Sequence, residues 1–197
     1  MKQKNIYSVE SLEQLNAISS PIRQEILDTV TSKRKCSISM IAEELGRPAD
    51  GLYYHIKALL KVGLLYEAGS NKTERQTELL YEVVDKADYL KVKYAASKPT
   101  KVKAINKMVS SMMKIAGDDF SNGIGLESVT LDGELRNLWA ARVKCRLSDE
   151  KLRTANRLIN ELIELFQQST DITESIEGEL HSLVCVLAPV ESKPKRR

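Results

Sequence analysis

With 197 residues the chain can hold one large domain or two small ones, since domains commonly run to about 100–150 residues. Hydrophobic residues make up 42% and charged residues 29%, a soluble globular balance in which 5% aromatics leave Leu, Ile, Val and Met to build the core. The formal charge of +3 is unevenly spread: 12 basic against 13 acidic residues over 1–90, seven basic and no acidic over 91–116, and 11 against 14 over 117–197. The start "MKQKNIYSVESLEQL" lacks the apolar stretch of a signal peptide, and no later run approaches the ~20 residues that span a bilayer. A cytosolic protein without a membrane partner is expected. Cys36, Cys145 and Cys185 are odd in number and far apart, so reduced thiols are expected, two of them buried.

The first helical pattern opens at Ser8, with Leu12, Leu15 and Ile18 at helical spacing. Ser20 and Pro21 then give a cap and first-turn signal for a second helix, lined by Ile22, Ile26, Leu27 and Val30. In "CSISMIAEELG" Ser37 is a cap, Ile38, Ile41, Ala42 and Leu45 form a stripe, and Gly46 terminates the helix. The stretch "RPADGLYYHIKALLKVGLLYE" supplies a fourth helix, with Asp50 as the expected cap, Leu52, Ile56, Leu59 and Leu60 as the stripe, and Gly63 as the stop. Beyond it, two apolar or β-branched runs flank a polar tip from Gly69 to Gln76, the pattern of a β-hairpin.

From Asp85 the pattern suggests helix again, broken at Ser97-Lys98-Pro99 and resumed from about Thr100 to Ala116. Val102, Ile105, Val109, Met112 and Ala116 follow a 3, 4, 3, 4 spacing, either a short coiled-coil seam or the buried stripe of a globular helix. The lysines lie off that seam, as an anion-facing surface or as a solvated helix face. In the last third, "WAARVKCRL" alternates strictly between Trp139, Ala141, Val143, Cys145 and Leu147 on one face and basic residues on the other, predicting a half-buried strand. Ser148 starts a helix to about Gln168 with a broad stripe from Leu152 to Phe166. The closing "LHSLVCVLAP" is apolar on both faces and predicts a central strand ending at Pro189.

Three helices and a hairpin within roughly 85 residues describe a winged helix-turn-helix, with Ile38 to Leu45 as support, Gly46 to Ala49 as turn and Asp50 to Val62 as the helix for a B-DNA major groove about 12 Å wide. The inward stripe leaves Asp50, Gly51, Tyr53, Tyr54, Lys57 and Lys61 outward. Tyrosine hydroxyls can bond phosphates or base edges and lysines supply phosphate charge; the lesser alternative is a ring packed on the hairpin, above all for Tyr54. His55 lies at the edge of the stripe and is expected to be structural rather than a metal ligand. At the hairpin tip, Lys72 and Arg75 either reach a minor groove or flanking phosphates, or are merely solvated.

The segments "SSPIRQEIL", "SISMIAEELG", "GLYYHIKALLKVGLL" and "LLYEVV" resemble the winged-helix domain of ArsR-type transcriptional regulators. The basic helix, the Trp139 to Leu147 run, "LSDEKL" and "VCVLAPV" are similar to the larger bacterial type with a C-terminal regulatory domain. The resemblance implies a dimeric DNA-binding regulator in which Pro48 to Lys57, with Ala49, Asp50, Gly51, Tyr53 and Tyr54 between them, match the positions presented to the groove; Arg47 in the turn is a further expected DNA contact. It does not extend to the metal-sensing branch, because "SISMIAEEL" lacks the paired cysteines of that branch.

The expected organisation is α+β: a winged helix-turn-helix domain over 1–90, a basic linker or dimerisation helix over 91–117, a small α/β dimerisation or regulatory domain over 118–190 and a disordered basic tail over 191–197. The expected function is sequence-specific binding of double-stranded DNA by a homodimer. The alternative is a protein–protein assembly module anchored by Tyr53 and Tyr54. No catalytic residue, metal or cofactor is expected, since two distant histidines and no phosphate-cradling loop leave no catalytic constellation. Between the 152–166 helix and the expected sheet, either an effector pocket or plain core fits the pattern.

Overall fold

The computed structural model describes residues 5–72, 77–93, 98–168 and 180–191. Its elements run β1 (Ile6–Val9), α1 (Leu12–Ala17), α2 (Pro21–Lys33), β2 (Cys36–Ser37), α3 (Ile38–Glu44), α4 (Ala49–Lys61), β3 (Leu65–Lys72), β4 (Thr77–Val83), β5 (Tyr89–Val92), α5 (Pro99–Gly123) and α6 (Asp149–Gln168). The fold class is mixed helix and strand, with the helix-turn-helix and its hairpin first and long helices after them.

Local chemistry accounts for the helix boundaries. Ser11 and Ser37 accept amide hydrogen bonds from Gln14 at 3.0 Å and Met40 at 3.3 Å, capping α1 and α3. Pro21 opens α2, where its missing N–H costs nothing. Gly46 and Gly63 adopt φ of +59° and +68°. In both places the next two amides turn back onto the helix: Gly46 and Arg47 onto Glu43 and Ala42, Gly63 and Leu64 onto Leu60 and Leu59. Asp50 does not cap α4. Pro48 takes the cap position and Asp50 falls in the first turn, where its charge opposes the helix dipole's positive end.

Leu15, Ile26, Ile41, Leu52, Ile56 and Leu59 are at most 1% exposed and form the centre of the core. Each such side chain contributes about 1.5–3 kcal/mol by leaving water. β2, β4 and β3 make an antiparallel sheet in that spatial order, so α3 is joined through β2 to the hairpin. A bulge at Ala68-Gly69 separates the Glu67↔Tyr81 and Ser70↔Leu79 pairs. The strands reach Lys72 and Thr77, so residues 69–72 of the expected tip are strand, and residues 73–76, with Arg75, lie outside the described residues.

Two elements depart from the expected N-terminal pattern. β1 and β5 pair in parallel, Ile6 with Tyr89 through Val9 with Val92. The helix expected from Asp85 is replaced by a 3-10 turn over Val84–Lys86 and then β5, because the partner edge of β1, far earlier in the chain, overrides local periodicity. Asp85 and Lys86, at φ of 53° and 50°, make the break, and the Asn5 amide bonds Asp88 at 2.8 Å.

α5 runs to Gly123, past the expected end, and docks on its own winged domain. Ala104, Ile105, Met108 and Ser111 are buried against α1 and α2, whereas Val102 is 42% exposed, so the buried stripe is rotated from the expected seam. Ser19 Oγ donates to the Leu15 carbonyl at 2.7 Å and lies 3.2 Å from that of Ala104, while Ser111 Oγ donates to the Ser19 carbonyl at 2.7 Å. Gln24 Nε2 reaches the Met108 carbonyl at 3.2 Å.

The expected C-terminal strands do not form in the single chain. Residues 139–147 and 180–191 lie outside both sheets, with Trp139 58%, Val143 84% and Val186 57% exposed. A strand must pair its N–H and C=O groups with a neighbouring edge, and among the described strands neither run is added to one. α6 forms as expected, but its stripe is open: Leu152, Leu158, Leu162 and Leu165 are all exposed. The expected effector pocket beneath α6 therefore has no sheet to close it. The tail 192–197 lies outside the described residues.

Candidate nucleic-acid interface

α4 is held inward by Leu52, Ile56 and Leu59, and its opposite face is built from the residues between them. Asp50, Tyr54, Lys57 and Lys61, at spacings of 4, 3 and 4, share one exposed ridge, with Gly51 and Tyr53 beside it. Tyr54 is 72% exposed and so is not packed on the hairpin; its ring meets the His55 edge, with centroids 5.4 Å apart. Tyr53 is 46% exposed. Burial, then the charges of Glu67 and Tyr53, hold the Tyr81 hydroxyl above its ordinary range.

Not every expected contact residue is equally available. Arg47 is exposed but pairs with Glu25 of α2 at 3.7 Å, Pro48 is taken up in the cap, and Ala49 is half-buried. Lys72 stands exposed at the end of β3, on the hairpin. Arg75 lies outside the described residues.

His55 is half-buried at the edge of the stripe, and its Nδ1 is buried with no hydrogen-bond partner among the described residues. Burial, then the charges of Arg23 and Arg47, lower its pKa, so the ring stays neutral near pH 7. Arg23 and Glu25 on α2 were not singled out by their spacing. Arg23 donates to the carbonyls of Ala17 and Asn16, the latter at 3.2 Å, and Glu25 positions Arg47. The one sequence signal for Arg23 is its place in Ser-Ser-Pro-Ile-Arg, two residues past a helix-starting proline.

Polar contacts brace the ridge from behind. Lys33 bonds Glu44 at 2.8 Å, tying α2 to the end of α3, and this bond raises the Lys33 pKa. Glu82 at the base of the hairpin accepts from Tyr66 and pairs with Lys35 at 3.1 Å. Burial pushes the Glu82 pKa up, but the Tyr66 and Lys35 hydrogen bonds with the Lys35 charge outweigh it and hold the carboxylate low.

Of the three cysteines only Cys36 is buried, not two as expected. Burial, against the opposing charge of Lys33, pushes its thiol up to about 11, which makes it unreactive. On α5, Lys103, Lys107 and Lys114 are exposed, and Lys93 pairs with Glu10. Among the described residues no group of three His, Cys, Asp or Glu side chains gathers at metal-binding separation, and no helix is long and apolar enough to cross a membrane. A shallow cleft of about 260 Å³ lies between α2 and β4, beside Val30, Arg34, Glu82 and Lys86.

No curated protein sequence matches the chain significantly. Among solved structures, a transcriptional regulator homologue from Pyrococcus horikoshii OT3 is 21% identical over 54% of this chain and 85% of its own, with a TM-score of 0.30. A double mutant of ZitR from Lactococcus lactis in apo form is 14% identical over 73% of this chain and 81% of its own, with a TM-score of 0.28. These likenesses are too low to carry an argument. Residues 18–66, from the end of α1 through α4 to the start of β3, match a family model described as a helix-turn-helix domain, and that is the domain this part of the chain forms.

Proposed function

We propose that the chain is a sequence-specific DNA-binding transcription regulator of ArsR-like type that acts as a homodimer. α4 enters the major groove, and the hairpin tip over 69–76 lies on the flanking backbone or in the minor groove. The observation that carries this reading is the outer ridge of α4: two tyrosines and two lysines stand exposed on a helix whose other face is fully buried. Tyrosines on a wet helix face waste apolar area and are mediocre helix formers, but they suit phosphate and base-edge contact. The helix-turn-helix match over 18–66 supports the reading, since in such domains the second helix is the one that enters the groove.

In the dimer, two copies of α4 address half-sites about one helical turn apart, ~34–36 Å. Lys57, Lys61 and Lys72 neutralise phosphates, so binding falls steeply with salt. The winged domain as a whole is near neutral, which keeps its affinity for random sequence modest. A small-molecule effector acting on the C-terminal half remains part of the proposal.

The test is selection from random duplexes at moderate salt, followed by the double variant Lys57→Glu/Lys61→Glu. A roughly palindromic preferred site, lost in the variant, is expected. Failure to enrich any sequence refutes the reading. Self-association or partner capture that survives the double variant, without DNA retention by the wild type, would favour an assembly module built on Tyr53 and Tyr54.

A further inference from the structure

The largest unexplained surface lies in the C-terminal half. Among the described residues, eleven large apolar side chains between Trp139 and Val190 are exposed, among them Val143, Leu158, Leu165, Val186 and Leu187. Together they leave on the order of 1,000 Å² of apolar surface per chain, against roughly 800 Å² that each partner gives to a standard stable interface.

The dimensions of the two runs say what they are built for. Residues 139–147 as a strand would extend about 30 Å, and the 20 residues of α6 also span about 30 Å, so the helix matches the strand end to end. The 139–147 run carries Arg142, Lys144 and Arg146 on the face opposite its apolar one, which suits an edge strand. The run from Ser182 to Val190 carries no charge, which suits a strand paired on both sides. Among the described residues no third run lies beside these two: pairing them within a chain yields a two-stranded sheet whose charge-free strand is still an edge, and such a pair is marginal in water. The strands of the winged half pair with one another, and neither C-terminal run is added to their edges.

We propose that the C-terminal half is the dimer interface, completed by a second copy of this chain. The 180–190 runs of the two copies pair at the centre of a four-stranded sheet, the 139–147 runs form its edges, and the two α6 helices cover one face. The proposal rests on the homodimeric reading above and adds the surface and the pairing. It assigns subunit contact to this half rather than to α5, whose buried stripe is spent on α1 and α2.

The cysteines supply a probe on the unmodified protein. Cys145 alternates onto the apolar face of its run and is exposed in the single chain, whereas Cys36 is buried in the winged core. Cys145 should therefore be labelled by a maleimide about tenfold more slowly at high protein concentration than at a concentration low enough to dissociate the pair, by mass action. Cys36 should stay unlabelled throughout and so reports that the winged domain is folded. By analytical ultracentrifugation the full chain should be a dimer. Val143→Asp and Val186→Asp should each yield monomers with Cys36 still protected, while Val102→Asp and Met113→Asp on the open side of α5 should leave dimers.

A dimer that survives both C-terminal variants, or that the α5 variants dissociate, overturns the interface while leaving the dimeric regulator intact. Concentration-independent labelling of Cys145 also overturns it. A wild type that is monomeric at all concentrations overturns the interface and the dimer together. Whether that monomer still selects a DNA sequence then decides the DNA reading separately.

Discussion

Replacing Ser111 by Ala tests whether α5 is fixed to the winged domain. Ser111 is 7% exposed and Ser19 is 2% exposed, and the Ser111 hydroxyl donates to the Ser19 carbonyl at 2.7 Å across 92 residues of chain. Alanine removes the donor and leaves a carbonyl in a dry contact, which costs about 1–3 kcal/mol because water cannot replace the lost partner. For a chain of this length each kcal/mol lowers the melting temperature by about 2–4 °C. Ser110 is the matched control. It is exposed and bonds only the Asn106 carbonyl of its own helix, so Ser110→Ala should change stability by less than about 0.5 kcal/mol. Urea unfolding followed by far-UV circular dichroism measures both variants. Equal midpoints for the two would refute the docking of α5 through this bond.

Gly63→Ala places a Cβ at a φ of +68° and should cost about 1–2 kcal/mol in urea unfolding although nothing crowds the site. Tyr54→Ala should leave stability within about 0.5 kcal/mol, since the ring is 72% exposed, yet weaken retention on the selected DNA in a gel-shift titration. His55 has a folded pKa below its ordinary value of about 6.5, so the folded state favours the neutral ring. Its contribution is complete above that value and is lost as pH falls through the folded pKa. Wild type should accordingly lose stability more steeply than His55→Gln between pH 7 and about pH 5 in parallel urea titrations.

The winged half was legible because its signals are local. Ser37, Gly46 and Gly63 each fix a helix boundary through a hydrogen bond or a backbone angle within a few residues, and the 3.6-residue stripe of α4 names both its buried and its open face. β1 and β5 were missed for the opposite reason. Each has four residues, and each is a strand only because the other lies beside it, a pairing that no window of sequence contains. Arg47 shows the same limit at the site itself, because its exposure was evident from the turn but its partner Glu25 sits a full helix earlier. The rotated stripe of α5 comes from Ser111 and Ala104, small residues that hydropathy counting passes over and that permit close packing on α1 and α2.

The C-terminal half reverses the usual relation between pattern and structure. Its alternation at 139–147 is as clear as any in the chain, yet the single chain leaves that run outside both described sheets and Val143 84% exposed. Periodicity encodes which face a segment can bury, and says nothing about which molecule covers it. In the proposed dimer this has a mechanical consequence. α5 is 25 residues long, about 37 Å, and its first half is pinned to the DNA-reading domain by Ala104, Met108 and Ser111. A rearrangement in the shared C-terminal sheet then reaches α4 through a stiff helix, α1 and α2. The spacing of the two recognition helices becomes the quantity that the C-terminal half controls.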